Sequence, residues 1–303
     1  MEVTTSPSKL TLGPILFHWQ PTAWRDFYFR IADESDIDTV HIGEVVCSKR
    51  APFYDKLIPD VAERLSAAGK EVVLSSQVLV MSASEQKAAR DLASIEGILI
   101  EANDMTMVPL LAGHDFAVGP FVNVYNEGTL SVLEGMGAVR ICLPVELSQQ
   151  RLGEIASRAR ADLEVQVFGR LPLAISARCY AARARNLSKD GCLYVCGENS
   201  DGMTVETLNE KSLLAVNGTQ TLSFSMINLL AELSHLRKLG INRFRLSPHT
   251  VDMVSVARLF REVIVGTLDA DVASDRLQDI CPDAEFSNGY FHGAPGHLFV
   301  ETD

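Results

Sequence analysis

The chain is 303 residues long, 47% hydrophobic and 22% charged, proportions that exclude a largely disordered chain and allow one large α/β domain or two smaller ones. Its formal charge of -12, with lysines and arginines scattered rather than clustered, argues against a nucleic-acid partner. No apolar run reaches the roughly 18 to 20 residues of a spanning helix, and the polar stretch Met1 to Thr11 lacks the basic and apolar regions of a secretory leader, so the expected location is the cytoplasm.

Along the chain, short apolar runs alternate with longer segments of helical period, as when parallel strands are covered on both faces by crossover helices. The expected strands are Gly13 to Phe17, Thr39 to Val46, Glu71 to Ser76, Gly97 to Glu101, Phe121 to Val124, Ala138 to Leu143, Leu163 to Phe168 and Arg243 to Ser247. Between them, Pro21 to Ala32, Tyr54 to Ala68, Ser84 to Ala93 and Leu147 to Ala161 carry apolar residues at three and four spacing. A Ser-Ala-Ser-Glu start near Ser84, with Pro21 and Pro52 near other starts, supplies helix N-terminal chemistry. This rhythm predicts an α/β fold of (β/α)8 type, complete or distorted, with an open doubly wound sheet as the alternative. One barrel-like domain over residues 1–303 is expected.

Near residue 170 the rhythm stops. The segment from about 170 to 215 reads as a cysteine-bearing insertion, Arg-rich and then polar, with turn signals at Lys189-Asp190-Gly191, Gly197 and Asp201-Gly202. Beyond it, Ser223 to Leu239 has a helical pattern ending at Gly240, and Ile241 to Pro248 reads as the last strand. The tail from Asp279 shows no period and is expected to be an ordered loop or a flexible terminus.

Six cysteines in a reducing compartment are expected to be thiols or metal ligands rather than disulfides. Cys192-Leu-Tyr-Val-Cys196 puts two thiols within one turn, Cys179 lies thirteen positions earlier, and Cys47 follows a strand at the edge where such folds gather their sites. The close pair by itself suits structural zinc, whereas ligands scattered over distant segments suit an iron-sulfur cluster. Cys142, inside an apolar run, is expected to be a small core residue, and Cys281 a spare thiol.

Walker, dinucleotide, zinc-peptidase and serine-elbow signatures are absent, as is the three-cysteine run of radical SAM enzymes. Glu44, Lys49, Arg50, Glu101, Asp104, His114, Asn123, Asn126, Glu146, Arg245 and Ser247 stand at expected strand ends and could line a pocket, though none is assigned a catalytic role. Arg178, Arg183 and Arg185 are placed to offset thiolate charge.

The segments Gly43-Glu-Val-Val-Cys-Ser-Lys-Arg50, Cys142-Leu-Pro-Val-Glu-Leu-Ser148, Leu171-Pro-Leu-Ala-Ile-Ser-Ala-Arg-Cys-Tyr-Ala-Ala-Arg183 and Arg245-Leu-Ser-Pro248 resemble the collagenase-like peptidase family U-32. The resemblance runs from about Leu12 to Pro248. It implies a role in oxygen-independent ubiquinone biosynthesis, in hydroxylating the aromatic ring of a prenylated quinone precursor. It further implies a heterodimer with a UbiU-like homologous subunit, a UbiT-like lipid-binding accessory protein, and a 4Fe-4S cluster held by Cys47, Cys179, Cys192 and Cys196. The spacing from Cys179 to Cys192 is a few residues shorter than the family form, which bears on loop shape. The family's peptidase activity is not expected here, because the motifs for it are missing.

Overall fold

Buried runs of aliphatic residues become strands because parallel pairing covers both their faces. The computed structural model describes residues 7–301; residues 1–6, most of the polar stretch that lacks leader features, and 302–303 lie outside it. The strands are β1 (Lys9–Leu12), β2 (Thr39–Ile42), β3 (Glu71–Ser75), β4 (Leu99–Ala102), β5 (Phe116–Val118), β6 (Ala138–Cys142), β7 (Asp162–Ile175), β8 (Met203–Glu206), β9 (Ser212–Asn217), β10 (Gln220–Asn228), β11 (Arg243–Leu246) and β12 (Phe286–Ser287). The helices are α1 (Pro21–Glu34), α2 (Ala51–Tyr54), α3 (Ile58–Ala67), α4 (Ala83–Ala93), α5 (Met107–Leu111), α6 (Glu127–Met136), α7 (Gln149–Ala156), α8 (Tyr180–Ala184), α9 (Leu233–Lys238), α10 (Met253–Val265) and α11 (Ala270–Ile280). Among the described residues no helix is long and apolar enough to cross a membrane.

Strands β1 to β7 pair in sequence order, and β11 joins β7 to β1, closing an eight-stranded parallel barrel. The α/β barrel expected from the sequence is therefore the fold, and the open sheet is not. Strand β7 outlasts its barrel register, and its far half pairs antiparallel with β10, which carries β9 and β8 outward. The short β12 pairs with β10 in parallel.

Several boundaries differ from the sequence expectation. The first strand is Lys9–Leu12, because Gly13 is the last residue to reach β11, its N–H donating to Leu246 O at 2.9 Å, and Pro14 has no N–H to give. The fifth is Phe116–Val118; Pro120 starts a 3-10 turn and Asn123, at φ 62°, reverses the chain where a strand was expected. The helix expected over Ser223 to Leu239 is half strand, since β10 is claimed by β7 and β9, and only Leu233–Lys238 is helical. Tyr54 to Ala68 divides before Pro59 into α2 and α3. The tail is ordered: Gln149 N–H donates to Phe291 O, and Asn288 donates to Glu232.

Alternate residues along each barrel strand face the helices or the lumen. The helix side is aliphatic, with Leu10, Leu12, Val40, Ile42, Ile141, Val165 and Leu246 buried. The lumen is polar: His41, Ser75, Glu101, Cys142, Glu164 and Arg245 are all buried there. Arg245 reaches both Glu101 and Glu164, and Ser75 Oγ donates to Glu101 at 2.7 Å. Burial would raise the Glu101 carboxyl, but the charges of Arg245 and His41 outweigh it and hold the group well below its ordinary value. At the lower rim Glu71 accepts from Thr39 and Arg140 at 2.6 and 2.9 Å.

Candidate metal centre

After β2 the chain turns sharply at Gly43, where φ is 137° and a Cβ would stand 2.6 Å from Ser75 O, so only glycine fits. Glu44 then folds the loop onto itself. Its Oε1 accepts the N–H groups of Val46 and Cys47 at 2.8 and 2.9 Å, presenting Cys47 ahead of a 3-10 turn over Ser48–Arg50.

Cys179 caps α8, its sulfur accepting from Ala182 N at 3.4 Å. Between Cys192 and Cys196 the backbone runs through Leu193 and Tyr194, both left-handed with φ of 49° and 54°. That conformation is costly for side chains of this size. It brings Cys192 and Cys196 to neighbouring places, with Val195 N–H donating to Cys192 O at 3.2 Å.

The three segments meet at the tip of the β9–β10 hairpin. Asn217 donates to the carbonyls of Cys196 and Asn199, each at 2.9 Å. Gly218 O accepts from Tyr180 N, beside Cys179, at 2.8 Å. Thr219 Oγ1 donates to Val46 O, beside Cys47, at 3.0 Å. Asn-Gly is the strongest short hairpin dipeptide, yet its role in joining distant cysteines was not visible in the sequence.

Arg50 occupies the middle. Its guanidinium is buried, donates to Asn217 Oδ1 at 2.6 Å and to Leu16 O at 3.3 Å, and lies against Cys196. Burial pushes the Cys196 thiol up; Arg50 pulls it down, while the charges of Cys179 and Cys192 raise it further, so these sulfurs share one neighbourhood. Burial likewise raises the Cys47 thiol, opposed by Arg50 and Lys189. Lys49 is paired with Asp190 at 2.7 Å and, less strongly, feels the charges of Cys192 and Cys47. The cations acting on the thiols are thus Arg50, Lys49 and Lys189, whereas Arg185, expected in that role, is held by Glu198.

Cys196 is buried and the other three sulfurs are half-buried. Among the described residues no group of three or more His, Cys, Asp or Glu side chains stands close enough to hold a metal ion as placed. The chemistry of the set nonetheless suits a thiolate-bound group: four soft donors, a cationic surround, and a buried Arg50 Nε with no hydrogen-bond partner in the protein. His18 packs across the site, its Nδ1 2.7 Å from Tyr54 Oη and its ring against Phe53 and Tyr194. Burial and the Arg50 charge push the His18 pKa down to about 4, so it stands as a neutral imidazole.

The other sequence candidates scatter. Glu101 and Arg245 lie in the lumen. Asn126 caps α6 by accepting from Thr129 N at 2.9 Å, Asp104 takes the N–H of Thr106, and His114 is exposed on a loop. Ser247 is buried, its N–H donating to Phe168 O. Asn123 and Glu146 line a cleft of about 260 Å³ at the barrel mouth, where Tyr125 donates to Glu146 at 3.3 Å. Cys142 is buried as expected, but beside Arg245 and Glu164 rather than among aliphatics, and burial drives its thiol far up. Cys281 opens the loop after α11, as expected, but is buried in the core, and burial pushes its thiol up to about 11.

The family model described as peptidase family U32 matches residues 27–300. Among solved structures, a GH138 enzyme targeting pectin rhamnogalacturonan II is similar at 7% identity and a TM-score of 0.42, with 80% of this chain and 35% of that one covered. A tryptophan synthase of Mycobacterium tuberculosis is similar at 15% identity and a TM-score of 0.33, with 60% of this chain and 80% of that one covered.

Proposed function

Because the chain belongs to peptidase family U32, we propose that it acts as the family's UbiV members do, as a 4Fe-4S protein required for oxygen-independent hydroxylation of the aromatic ring of a ubiquinone precursor. The carrying observation is the hairpin tip Asn217 to Thr219, bonded at once to the segments of Cys47, Cys179 and Cys196. Cys47, Cys179, Cys192 and Cys196 would hold the cluster. When bound, the cluster supplies one-electron chemistry whose potential depends on hydrogen bonding to sulfur and on burial. Arg50, Lys49 and Lys189 offset the charge of the thiolates, and the rings of Phe53, Tyr54 and Tyr194 pack about His18 beside them. In this reading the protein works in the cytoplasm as a heterodimer with a UbiU-like subunit, served by a UbiT-like lipid-binding protein that presents the prenylated ring.

A second reading has a specific basis. Four cysteines would fill every protein-facing position of a cuboidal cluster, which suits an electron-carrying or structural subunit whose partner performs the chemistry. Replacing the iron with a redox-inactive metal in the heterodimer separates the redox roles from the structural one: hydroxylation is lost if the cluster is catalytic or electron-carrying and retained if it is structural.

The first experiment is anaerobic purification with iron, zinc and acid-labile sulfide analysis and an ultraviolet-visible spectrum. Iron and sulfide near about four each per chain, with a broad absorption that fades in air, is the expected result, and Cys196→Ala should lose both. Zinc at about one per chain with no visible absorption would replace the redox reading by a structural zinc site.

A further inference from the structure

A cleft of about 180 Å³ opens at the carboxyl ends of β2 and β3, beneath α4. Its body is apolar, formed by Leu74, Val80, Ala89, Leu92, Ile95 and Met107, and its polar lining comes from Glu44, Ser76 and Gln77. An engineered apolar cavity of about 150 Å³ takes one benzene. The enclosed part of this space therefore suits a single ring, with any longer substituent leaving through the open mouth.

The polar end specifies the substituent. Both hydrogen bonds that Glu44 accepts go to Oε1, which leaves Oε2 as acceptor for an occupant. Arg50 Nη1 stands 4.0 Å from the same carboxyl and balances its charge, so the end calls for a neutral donor rather than an ammonium. Glu85, at the other wall, is already engaged: it accepts from Ser48 Oγ at 2.7 Å and closes the capping box of α4 with Ser82.

We propose that this cleft binds a single phenolic ring, with the hydroxyl donating to Glu44 and the ring between β3 and α4. The same Glu44 carboxyl holds the N–H of Cys47, so the ring lies one side chain from the loop that carries a thiol of the metal centre. The proposal deepens the hydroxylation reading by giving its aromatic substrate a binding site, and rests on that reading only for the fate of the ring.

The test reads binding directly, by fluorine NMR of 4-fluorophenol titrated into the anaerobically purified full chain. Saturable broadening or shift is expected, competed by phenol and at least tenfold weaker to cyclohexane-based alcohols lacking the flat ring. Ala88 lines the mouth and is exposed on α4, so Ala88→Trp fills the entrance without entering the core. It should weaken binding at least tenfold with circular dichroism and thermal midpoint unchanged, and Glu44→Gln should weaken it less. Absence of saturable binding, or binding undiminished in both Ala88→Trp and Ala89→Leu, overturns the proposal. Because no turnover is measured, a sample without iron would refute the cluster reading while leaving this result to stand or fall by itself.

Discussion

Arg245 is the residue on which the barrel interior turns. Among the described residues it alone joins two buried carboxylates, Glu101 from β4 and Glu164 from β7. Removing one partner of a buried charge network leaves the others uncompensated, at a cost of about 3 to 5 kcal/mol. Arg245→Leu should therefore lose stability on that scale in urea titrations at pH 7. The pH dependence follows from the same groups. Both carboxyls are held below their ordinary value despite burial, chiefly by Arg245. A depressed carboxyl contributes stability that is complete above the unfolded value of about 4.3 and is lost as pH falls through the folded value. Wild-type stability should thus begin to fall below about 6.5, where the unfolded chain protonates the histidines that the fold holds neutral at His18 and His249, and fall more steeply below about 4.5 as the carboxyls titrate. In Arg245→Leu the carboxyl contribution reverses, because unpaired buried carboxyls are raised and protonation relieves them; the stability deficit against wild type should shrink from pH 7 to 5. The sequence marked Arg245 and Glu101 as polar residues at strand ends. It could not show that they face a lumen, since alternation is the same whether the second face meets water or a closed barrel's interior.

At the scale of elements, the hairpin β9–β10 does what no single cysteine could. Gly218 adopts φ 67° with Arg50 Nη2 where a Cβ would be. Gly218→Ala is expected to cost about 2 to 3 kcal/mol through the left-handed penalty and displacement of the arginine. It should also lower iron content in anaerobic preparations, whereas a substitution at exposed Leu208, on the outer turn of the same ribbon, should alter neither. The thiols were legible because chelation restricts the spacing of a close pair. The hairpin was not, because the short alternation of Ser223 to Met226 runs straight into Met226, Leu229, Leu230, Leu233 and Leu236, whose three and four spacing extends the helical pattern back over it. Its strand identity comes from partners in β7 and β9, one of them some 50 residues away in sequence, as the pairing of Met226 with Arg170 shows.

Across the whole molecule the βα rhythm was legible from the first hundred residues, since each crossover repeats the same local chemistry. The closure was not, because it depends on β11, which returns to β1 and β7 after the hairpin excursion. The C-terminal segment then ties the far side together. Asn288 and His292 bond to Glu232 at 2.9 and 2.8 Å, and Phe291 is buried against the core. Truncation after Glu285 should remove about 3 kcal/mol or more through Phe291 and these bonds. A chain of this size should then melt at least about 5 °C lower by calorimetry.

The position of that arginine also sets a timetable. A ribosome delivers the chain from the N-terminus, at about 5 to 20 residues per second. Glu101 and Glu164 emerge with the first seven strands, long before the guanidinium that neutralises them. Until Arg245 appears, shutting the sheet would trap two bare anions, so the nascent chain is held as an unclosed arc and sealed only when its last barrel strand arrives.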